Sequence, residues 1–405
     1  MEKTPQDAIH QRMEAMCRRV EGLRAAGEYF YNLPIEALRG GAGVLVDGRE
    51  MLMFASYGYL GLLGHPRINR AAREAIDRFG TGTHGVRTLA GSLTVHRELE
   101  EEIARFKGAE AALTFSSGYA TNLSVISTLV GRHDVVLCDK LNHASIVDGC
   151  MLAGARFVRF RHNDIGDLER RLARAPADAA RLVVADAVFS MDGDIIDLPR
   201  LVEVCRRHRA WLMIDEAHSL GVLGEQGRGI EEHFGLPGSI DILMGTLSKT
   251  IPSVGGYVAG RQDLITYLRH QARAYIFSAA LPPAQAAAAR AAFEVIRDEP
   301  WRVEELRKNT ARFLEGLRAE GLDTMQSVTA IVPVLCGDDA RAFRLTRAAH
   351  EDGIFVLPVV SPAVPEGLAR LRATVTAAHA PEEIDRAIEV IARGARQVGV
   401  LPHAA

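Results

Sequence analysis

The sequence is poor in cysteine and in long hydrophobic runs. Its 405 residues include only five cysteines with no Cys-x-x-Cys pair, so neither a disulfide framework nor a zinc site is indicated. There is no run of 18 apolar residues, so we expect no membrane-spanning helix. The 14 histidines show no His-Glu-x-x-His spacing, and we expect no metal site.

The sequence also lacks an excess of positive charge. Its 48 basic and 51 acidic residues give a formal net charge of −3, so we expect no nucleic-acid partner. Hydrophobic residues make up 48% of the chain, which is enough to bury a large core. The length favours two or three packed units. These features together predict a globular, cytoplasmic enzyme.

Lysine is the scarcest charged residue, and this narrows the search for reactive amines. The five lysines are Lys3, Lys107, Lys140, Lys249 and Lys308. Arginine cannot replace them in reactions that need a neutral amine, because it stays protonated. Only Lys249 directly follows a predicted buried strand, where loss of water favours the neutral form.

Short apolar runs alternate with amphipathic helices over the middle of the chain, which predicts an α/β fold with a mostly parallel central sheet. We predict an N-terminal helix with short strands in residues 1–50. A large domain follows in residues 51–290, and a smaller C-terminal α+β domain in residues 291–405. Strands are predicted at 111–113, 135–137, 182–185, 211–214, 242–244, 331–335 and 371–375. Helices are predicted at 6–30, 68–79, 95–107, 120–129, 198–209, 283–297 and 381–396.

Three of the predicted strands end in polar residues, in segments 186–194, 215–219 and 246–250. Each segment alone could be a solvated turn. Because ligands of parallel sheets bind beyond the carboxyl ends of the strands, three such segments at one edge indicate a site. Lys249 could form an imine with a carbonyl, and Asp215 could hold a pyridinium proton. This pair is the minimum required to bind and use pyridoxal phosphate (PLP).

Other residues could complete a PLP site. His218 could bind the phenolic oxygen of PLP and His143 could lie against the ring, although a packing histidine and a solvated histidine are equally ordinary interpretations. The segment Ser117-Gly118-Tyr119 opens a predicted helix, whose free backbone N–H groups could bind a phosphate. An ordinary helix cap would explain that segment as well.

Two motifs of other protein classes occur without their required context. Asp215-Glu216-Ala217-His218 matches a helicase box, but the chain contains no Gly-Lys dipeptide and therefore no phosphate loop. Residues 80–85 match Gly-x-Gly-x-x-Gly but follow a predicted helix, whereas a dinucleotide site needs a preceding strand. We therefore reject a helicase and a nicotinamide-dependent enzyme.

Taken together, the ordered motifs over residues 44–400 resemble the α-oxoamine synthases, a branch of the type I (aspartate aminotransferase) PLP fold. The motifs are Tyr59-Leu60-Gly61-Leu62, His65-Pro66, Ser117-Gly118-Tyr119, His143-Ala144-Ser145, His162-Asn163-Asp164, Ser190-Met191-Asp192-Gly193-Asp194, Asp215-Glu216-Ala217-His218, Gly224-Glu225-Gln226-Gly227-Arg228-Gly229, Gly245-Thr246-Leu247-Ser248-Lys249, Phe277-Ser278-Ala279, Arg370-Leu371-Arg372 and Thr376-Ala377-Ala378-His379.

The resemblance implies roles for particular residues. Lys249 would be the Schiff-base lysine and Asp215 the partner of the ring nitrogen. Arg372 would bind the amino-acid carboxylate. Further implied contacts are His218 and Ser190 to the phenolic oxygen, His143 to the ring face, Ser117, Gly118, Tyr119, Thr246 and Ser248 around the phosphate, and Ser278 to the phosphate of the other subunit of a homodimer.

The resemblance also implies a reaction, the decarboxylative condensation of a small amino acid (serine, glycine or alanine) with an acyl thioester. The products would be an α-aminoketone, carbon dioxide and the free thiol. The thioester would be carried on coenzyme A or on an acyl carrier protein. The alternatives are an aminotransferase or decarboxylase of the same fold and a non-catalytic subunit of a synthase complex.

Two departures from the family pattern bear on the substrates. Val360-Ser361-Pro362 stands where some branches carry Arg-Pro-Pro, which argues against a 7-keto-8-aminopelargonate producer and favours a long or carrier-bound acyl group. Tyr57-Gly58 stands where the family usually has Asn or Asp, which changes a contact normally made to the amino acid.

Overall fold

A helix and three short strands begin the computed structural model, which describes residues 5–402. These elements are α1 (Pro5–Ala25), β1 (Ile35–Leu38), β2 (Gly43–Val46) and β3 (Arg49–Met53). The strands form an antiparallel meander. The helix predicted over residues 6–30 ends earlier than expected, because Gly27 adopts a left-handed conformation with φ 64°.

A seven-stranded sheet follows, with helices between its strands. Its elements are α2 (Pro66–Phe79), α3 (Thr94–Lys107), β4 (Ala111–Phe115), α4 (Gly118–Leu129), β5 (Val135–Asp139), α5 (Ala144–Leu152), β6 (Arg156–Phe160), α6 (Ile165–Leu172), β7 (Arg181–Asp186), α7 (Leu198–Arg207), β8 (Trp211–Asp215), α8 (Ile230–Phe234), β9 (Ile242–Thr246) and β10 (Gly256–Gly260). The strand order is β4-β10-β9-β8-β7-β5-β6.

Six strands of this sheet run in the same direction, which confirms the predicted mostly parallel sheet. Only β10 is antiparallel, and it pairs with both β4 and β9. The strands are almost entirely apolar and buried, as expected for a sheet covered by helices on both faces. Their carboxyl ends meet at one edge of the sheet.

The last third of the chain is helical apart from a small sheet. Its elements are α9 (Gln262–Gln271), α10 (Arg273–Ile276), α11 (Pro283–Asp298), α12 (Trp301–Ala319), β11 (Ile331–Gly337), α13 (Asp339–Glu351), β12 (Ile354–Phe355), β13 (Leu357–Val359), β14 (Ala369–Thr374) and α14 (Pro381–Gln397).

The small sheet has its own hydrophobic core. Its order is β11-β14-β13, and residues of this sheet form one buried cluster with α13 and α14. The strand β12 instead pairs in parallel with β3, so that residues near both ends of the chain share a sheet. The limits of the three predicted segments stay a prediction. Within residues 5–402, every helix is too short or too polar to span a lipid bilayer.

The turn at residues 190–194 joins the two sheets. Arg370 on β14 donates to Asp192 Oδ1 at 2.7 Å, and Arg372 on the same strand donates to the Ser190 carbonyl oxygen at 2.8 Å. On the other side, Thr329 Oγ1 donates to the Gly193 carbonyl oxygen at 2.9 Å. The small sheet is thereby fixed against the end of β7.

A histidine between two carboxylates holds the same edge of the large sheet. His162 contacts Asp139 through Nδ1 at 3.0 Å and Asp194 through Nε2 at 2.9 Å. Burial by itself lowers the pKa of His162, but the hydrogen bonds to both carboxylates outweigh burial and raise the pKa to about 10. The imidazolium therefore links the end of β5 to the turn after β7.

We expect His162→Gln to lower the free energy of unfolding by about 1.5–3 kcal/mol at pH 6, the usual value for hydrogen bonds to charged groups. A histidine whose pKa rises on folding contributes its full stabilisation of the folded state below its unfolded pKa, which is near 6.5. This contribution is lost as the pH rises through the folded pKa of about 10. Urea unfolding of wild type and variant at pH 6 and above pH 10 measures the effect. His10→Gln, on the exposed face of α1, is the control; an equal loss at both pH values would contradict the prediction.

Candidate active site

A cavity of about 240 Å³ lies at the carboxyl edge of the large sheet. It brings together side chains from the strand ends and from the starts of α4 and α5. The lining residues are Ser117, Gly118, Tyr119, Asn122, His143, Ser145, Asp186, Ser190, Asp215, Ala217, His218, Met244, Thr246, Ser248 and Lys249. Every cofactor residue suggested by the sequence lines this cavity except Ser278.

Lys249 follows β9 and forms one end of a hydrogen-bonded chain. Its Nζ lies 2.8 Å from His218 Nε2, and His218 Nδ1 lies 2.6 Å from the hydroxyl of the buried Tyr59. Burial lowers the pKa of Lys249 to about 8, although Asp215 and Asp186 oppose this effect. Burial also lowers the pKa of His218 well below its ordinary value. A neutral amine is therefore accessible near physiological pH.

Two aspartates stand side by side at the ends of β7 and β8, where Asp186 is the register partner of Asp215. Asp215 accepts hydrogen bonds from Asn122 Nδ2 at 2.7 Å and from the Ala217 amide at 2.9 Å. Burial, followed by the charge of Asp215, raises the pKa of Asp186 well above its ordinary value. Asp215, which these two donors hold in place, can bind a cation in the cavity.

His143 caps α5 at one wall of the cavity. Its Nδ1 lies 2.8 Å from Ser145 Oγ, and its backbone N–H donates to Asp186 Oδ2 at 2.8 Å. Burial lowers the pKa of His143, which favours the neutral ring. A neutral imidazole held in this way can lie flat against an aromatic ligand.

The opposite end of the cavity has the features of an anion site. Ser117 caps α4, and the hydroxyl groups of Thr246 and Ser248 are 2.9 Å apart beside it. A Cβ at Gly118 would lie 3.0 Å from Thr246 Oγ1, so a larger residue at this helix start would press against the Thr246 hydroxyl group. Free backbone N–H groups and two hydroxyls together can bind a phosphate.

Arg372 lies close to the cavity without lining it. Its Nε donates to the Ser190 carbonyl oxygen, and its guanidinium lies over the Tyr57 ring with Cζ 4.9 Å from the centroid. Its Nη2 is buried and has no hydrogen-bond partner among the described residues. An unpartnered buried N–H group beside a reactive amine is suited to a carboxylate ligand.

Ser278 is not part of this cavity. It lies between α10 and α11, next to Ala279, which pairs with Val86 in an isolated bridge. Its contact with the phosphate of another subunit stays a prediction.

Sequence reasoning missed three residues of the site, namely Asn122, Asp186 and Tyr59. Asn122 lies one helical turn after Gly118, so that the two residues share a helix face. Asp186 is the last residue of β7, and Asp215 is the last residue of β8. This similarity between the two strand ends was visible in the sequence. Tyr59 was assigned to a motif but given no role.

Comparisons with known proteins show the family to which this chain belongs. A family model described as aminotransferase class I and II matches residues 49–391. The chain is 46% identical to 8-amino-7-oxononanoate synthase of Geobacter sulfurreducens, covering 94% of this chain and 98% of that one. It is 42% identical to serine palmitoyltransferase of Sphingobacterium spiritivorum, with coverages of 94% and 95%.

A solved structure of serine palmitoyltransferase from S. paucimobilis, with a bound PLP–myriocin aldimine, superimposes with a TM-score of 0.94 at 35% identity. It covers 96% of this chain and 99% of that one. The fold and site thus define a PLP-dependent transferase of the type I fold. More specifically, the chain belongs to the α-oxoamine synthase family and is a PLP-dependent acyltransferase.

The residues present fit PLP. The buried Asn122 Oδ1, which has no partner among the described residues, lies on the side chain that also holds Asp215. The cavity offers a carboxylate, a hydroxyl-lined anion site and an amine of lowered pKa around one space. These are the three groups that a pyridinium nitrogen, a phosphate and an aldehyde require.

Proposed function

We propose that this enzyme condenses a small amino acid with an acyl thioester to give an α-aminoketone, carbon dioxide and a free thiol. The observation that carries the proposal is that the amine of Lys249 and the buried, unpartnered Nη2 of Arg372 flank the same ring of Tyr57. An α-amino acid carries the complementary amine and carboxylate on one carbon.

Lys249 and its neighbours would move the protons of this reaction. Bound PLP supplies an electron sink for negative charge at Cα. Lys249 removes the Cα proton, and His218, at 2.8 Å, holds the lysine amine in place. The Cα electron pair then forms a bond to the thioester carbonyl carbon, and the thiolate leaves. Loss of carbon dioxide and reprotonation at Cα complete the product.

The remaining side chains would hold the cofactor. Asp215 keeps the ring nitrogen protonated, and Asn122 orients Asp215. His143 stacks on the ring, while Ser190 and His218 contact the phenolic oxygen. The phosphate-binding residues are Ser117, Gly118, Tyr119, Thr246 and Ser248. Arg372 binds the amino-acid carboxylate through its free Nη2.

The acyl group is proposed to be long or bound to a carrier protein. The named relatives do not decide this, since one is an 8-amino-7-oxononanoate synthase and the other a serine palmitoyltransferase. Val360, which replaces an arginine of some branches, is buried in the core of the small sheet and presents no cation to a substrate carboxylate. An acyl chain without a terminal carboxylate suits this environment better.

We further propose a homodimer in the cytoplasm. Phe277, beside Ser278, is 71% exposed, and Leu89 on the adjoining segment is 85% exposed. Neighbouring apolar side chains of this size are typical of an interface. All five cysteines are free and four of them are buried, which suits a reducing compartment.

The proposal predicts thiol release that depends on both substrates. We expect the holoenzyme to release thiol from palmitoyl-CoA, or from palmitoyl-acyl carrier protein, only when glycine, alanine or serine is present, with one carbon dioxide per thiol. Thiol detection and trapping of labelled carbon dioxide measure this ratio. Formation of a keto acid without thiol release would instead identify an aminotransferase, and carbon dioxide release without an acyl donor would identify a decarboxylase.

A further inference from the structure

Tyr59 is a buried residue whose hydroxyl group ends the hydrogen-bonded chain that begins at Lys249. Its side chain is fully buried, and its hydroxyl oxygen lies 2.6 Å from His218 Nδ1. The backbone of Tyr59 is also held in place, because its carbonyl oxygen accepts from the Ala377 amide at 2.7 Å and its amide donates to the Tyr57 carbonyl oxygen at 2.9 Å. The hydroxyl group therefore has a fixed position relative to the imidazole.

The surroundings of His218 favour its neutral form. Burial is the largest cause of its lowered pKa. Neighbouring groups that carry positive charge lower the pKa further, and these are Lys249, Arg372 and His143. Two aromatic rings, those of Tyr57 and Tyr59, also pack against the imidazole. A neutral imidazole has one N–H group and one acceptor nitrogen, so Nδ1 and Nε2 must have opposite roles.

The Tyr59 hydroxyl group decides which nitrogen carries the proton. Burial raises the pKa of Tyr59, so the phenol keeps its hydrogen. Among the described residues, His218 Nδ1 is the one acceptor within hydrogen-bond distance of this hydroxyl group. If Nδ1 carried the imidazole proton, the hydroxyl hydrogen would be buried without an acceptor, which is costly. The hydroxyl group therefore donates to Nδ1, and the proton of His218 lies at Nε2.

A proton at Nε2 affects the charge of Lys249. His218 Nε2 lies 2.8 Å from the Lys249 Nζ, so its N–H group points at the amine. The amine accepts this hydrogen bond only when it is neutral, because an ammonium group has no lone pair. Three charged groups also act on this amine, namely Asp215, Asp186 and Arg372. Tyr59 thus disfavours the ammonium form of Lys249 through His218.

We propose that Tyr59 is a positioning residue that holds the proton of His218 at Nε2. His218 is then a hydrogen-bond donor toward the amine of Lys249 and, when PLP is bound, toward its phenolic oxygen. This inference rests on the proposed function, in which the neutral amine of Lys249 removes the Cα proton. Tyr59 acts through His218 and is not itself a catalytic residue.

The first test measures the proton directly. Nitrogen NMR of the full-length enzyme with ¹⁵N-labelled histidine, before PLP is added, distinguishes a protonated from an unprotonated ring nitrogen. The signals that disappear in His218→Gln identify His218. Wild type should show a protonated Nε2 and an unprotonated Nδ1, whereas in Tyr59→Phe, which loses only the hydroxyl group, the proton should be shared between both nitrogens. A protonated Nδ1 in wild type, or a proton that stays entirely at Nε2 in Tyr59→Phe, would overturn the inference.

The second test measures the charge of Lys249. The rate at which added PLP develops the visible absorbance of the lysine-bound cofactor follows the neutral fraction of this amine. For wild type this rate should be half-maximal near the Lys249 pKa of about 8. In Tyr59→Phe the midpoint should rise by about half a pH unit to one unit, the equivalent of one hydrogen bond. The titration of PLP itself is common to both proteins and cancels in the comparison.

Tyr257→Phe is the matched control for both tests. Tyr257 on β10 is also fully buried, but its hydroxyl group has no hydrogen-bond partner within residues 5–402. This variant should keep the wild-type proton position and pH midpoint. An unchanged midpoint in Tyr59→Phe, or an equal rise in Tyr257→Phe, would contradict the inference.

The wild-type NMR measurement decides the matter even if Tyr59→Phe does not fold. Neither test uses an amino acid or an acyl donor. Absence of thiol release with every substrate pair would therefore contradict the proposed function, while the proton position of His218 would still be measured.

Discussion

Replacing Lys249 with alanine is expected to lower thiol release by roughly 10²- to 10⁴-fold or more, the usual contribution of a positioned acid–base group. The same change should abolish the visible absorbance of the lysine-bound cofactor. Lys249 is the lysine whose Nζ lies in the cavity and contacts His218. Absorbance spectra of the purified variant with added PLP, together with a thiol-release assay, measure both effects.

Lys308→Ala is the matched control for this experiment. Lys308 is an exposed residue of α12 that pairs with Glu304 and does not line the cavity. It should retain wild-type absorbance and activity. An unchanged absorbance spectrum in Lys249→Ala would show that another group holds the cofactor, and the site as described would be wrong.

The second large effect is expected from Asp215→Asn. Removing one partner of a buried charge pair costs about 3–5 kcal/mol, which corresponds to roughly 10²- to 10⁴-fold in activity. The asparagine fills the same space, so cofactor content should change less than the catalytic rate. Steady-state kinetics and the cofactor content of the purified variant separate the two quantities.

The exposed Asp263, which pairs with Arg261 at the start of α9, provides the control variant Asp263→Asn. We expect its kinetics to match those of wild type. A rate loss below tenfold in Asp215→Asn would mean that the carboxylate does not support the electron sink. Asp186, its neighbour on β7, would then be the next candidate.

Those residues of the cavity that directly follow a short apolar run were predictable from the sequence. Asp215, Thr246 and Lys249 all follow apolar runs that could only be buried strands, and parallel strands bring their carboxyl ends to one edge. The helix start at Gly118 was predictable for a similar reason, since a short turn of small residues follows a strand and opens a helix. The resemblance to the α-oxoamine synthases then predicted that these residues surround one cofactor.

What the sequence did not predict depends on contacts between distant elements. The strand Gly256–Gly260 has two glycines and little hydrophobic pattern, and it becomes a strand only because β4 and β9 pair with it on both sides. Tyr59 and His218 are 159 positions apart, and nothing local indicates their hydrogen bond. The partner of Asp215, Asn122, sits on a helix whose orientation is set by packing.

The turn at residues 190–194, which joins the two sheets, limits how the substrate preference of this enzyme could evolve. Arg372 fastens the small sheet to the large one through the Ser190 carbonyl oxygen, and the same guanidinium carries the Nη2 that is proposed to bind the amino-acid carboxylate. Mutating it would therefore disturb architecture and recognition at once. Selection can therefore change amino-acid recognition through Arg372 only if it also preserves the contact between the two sheets.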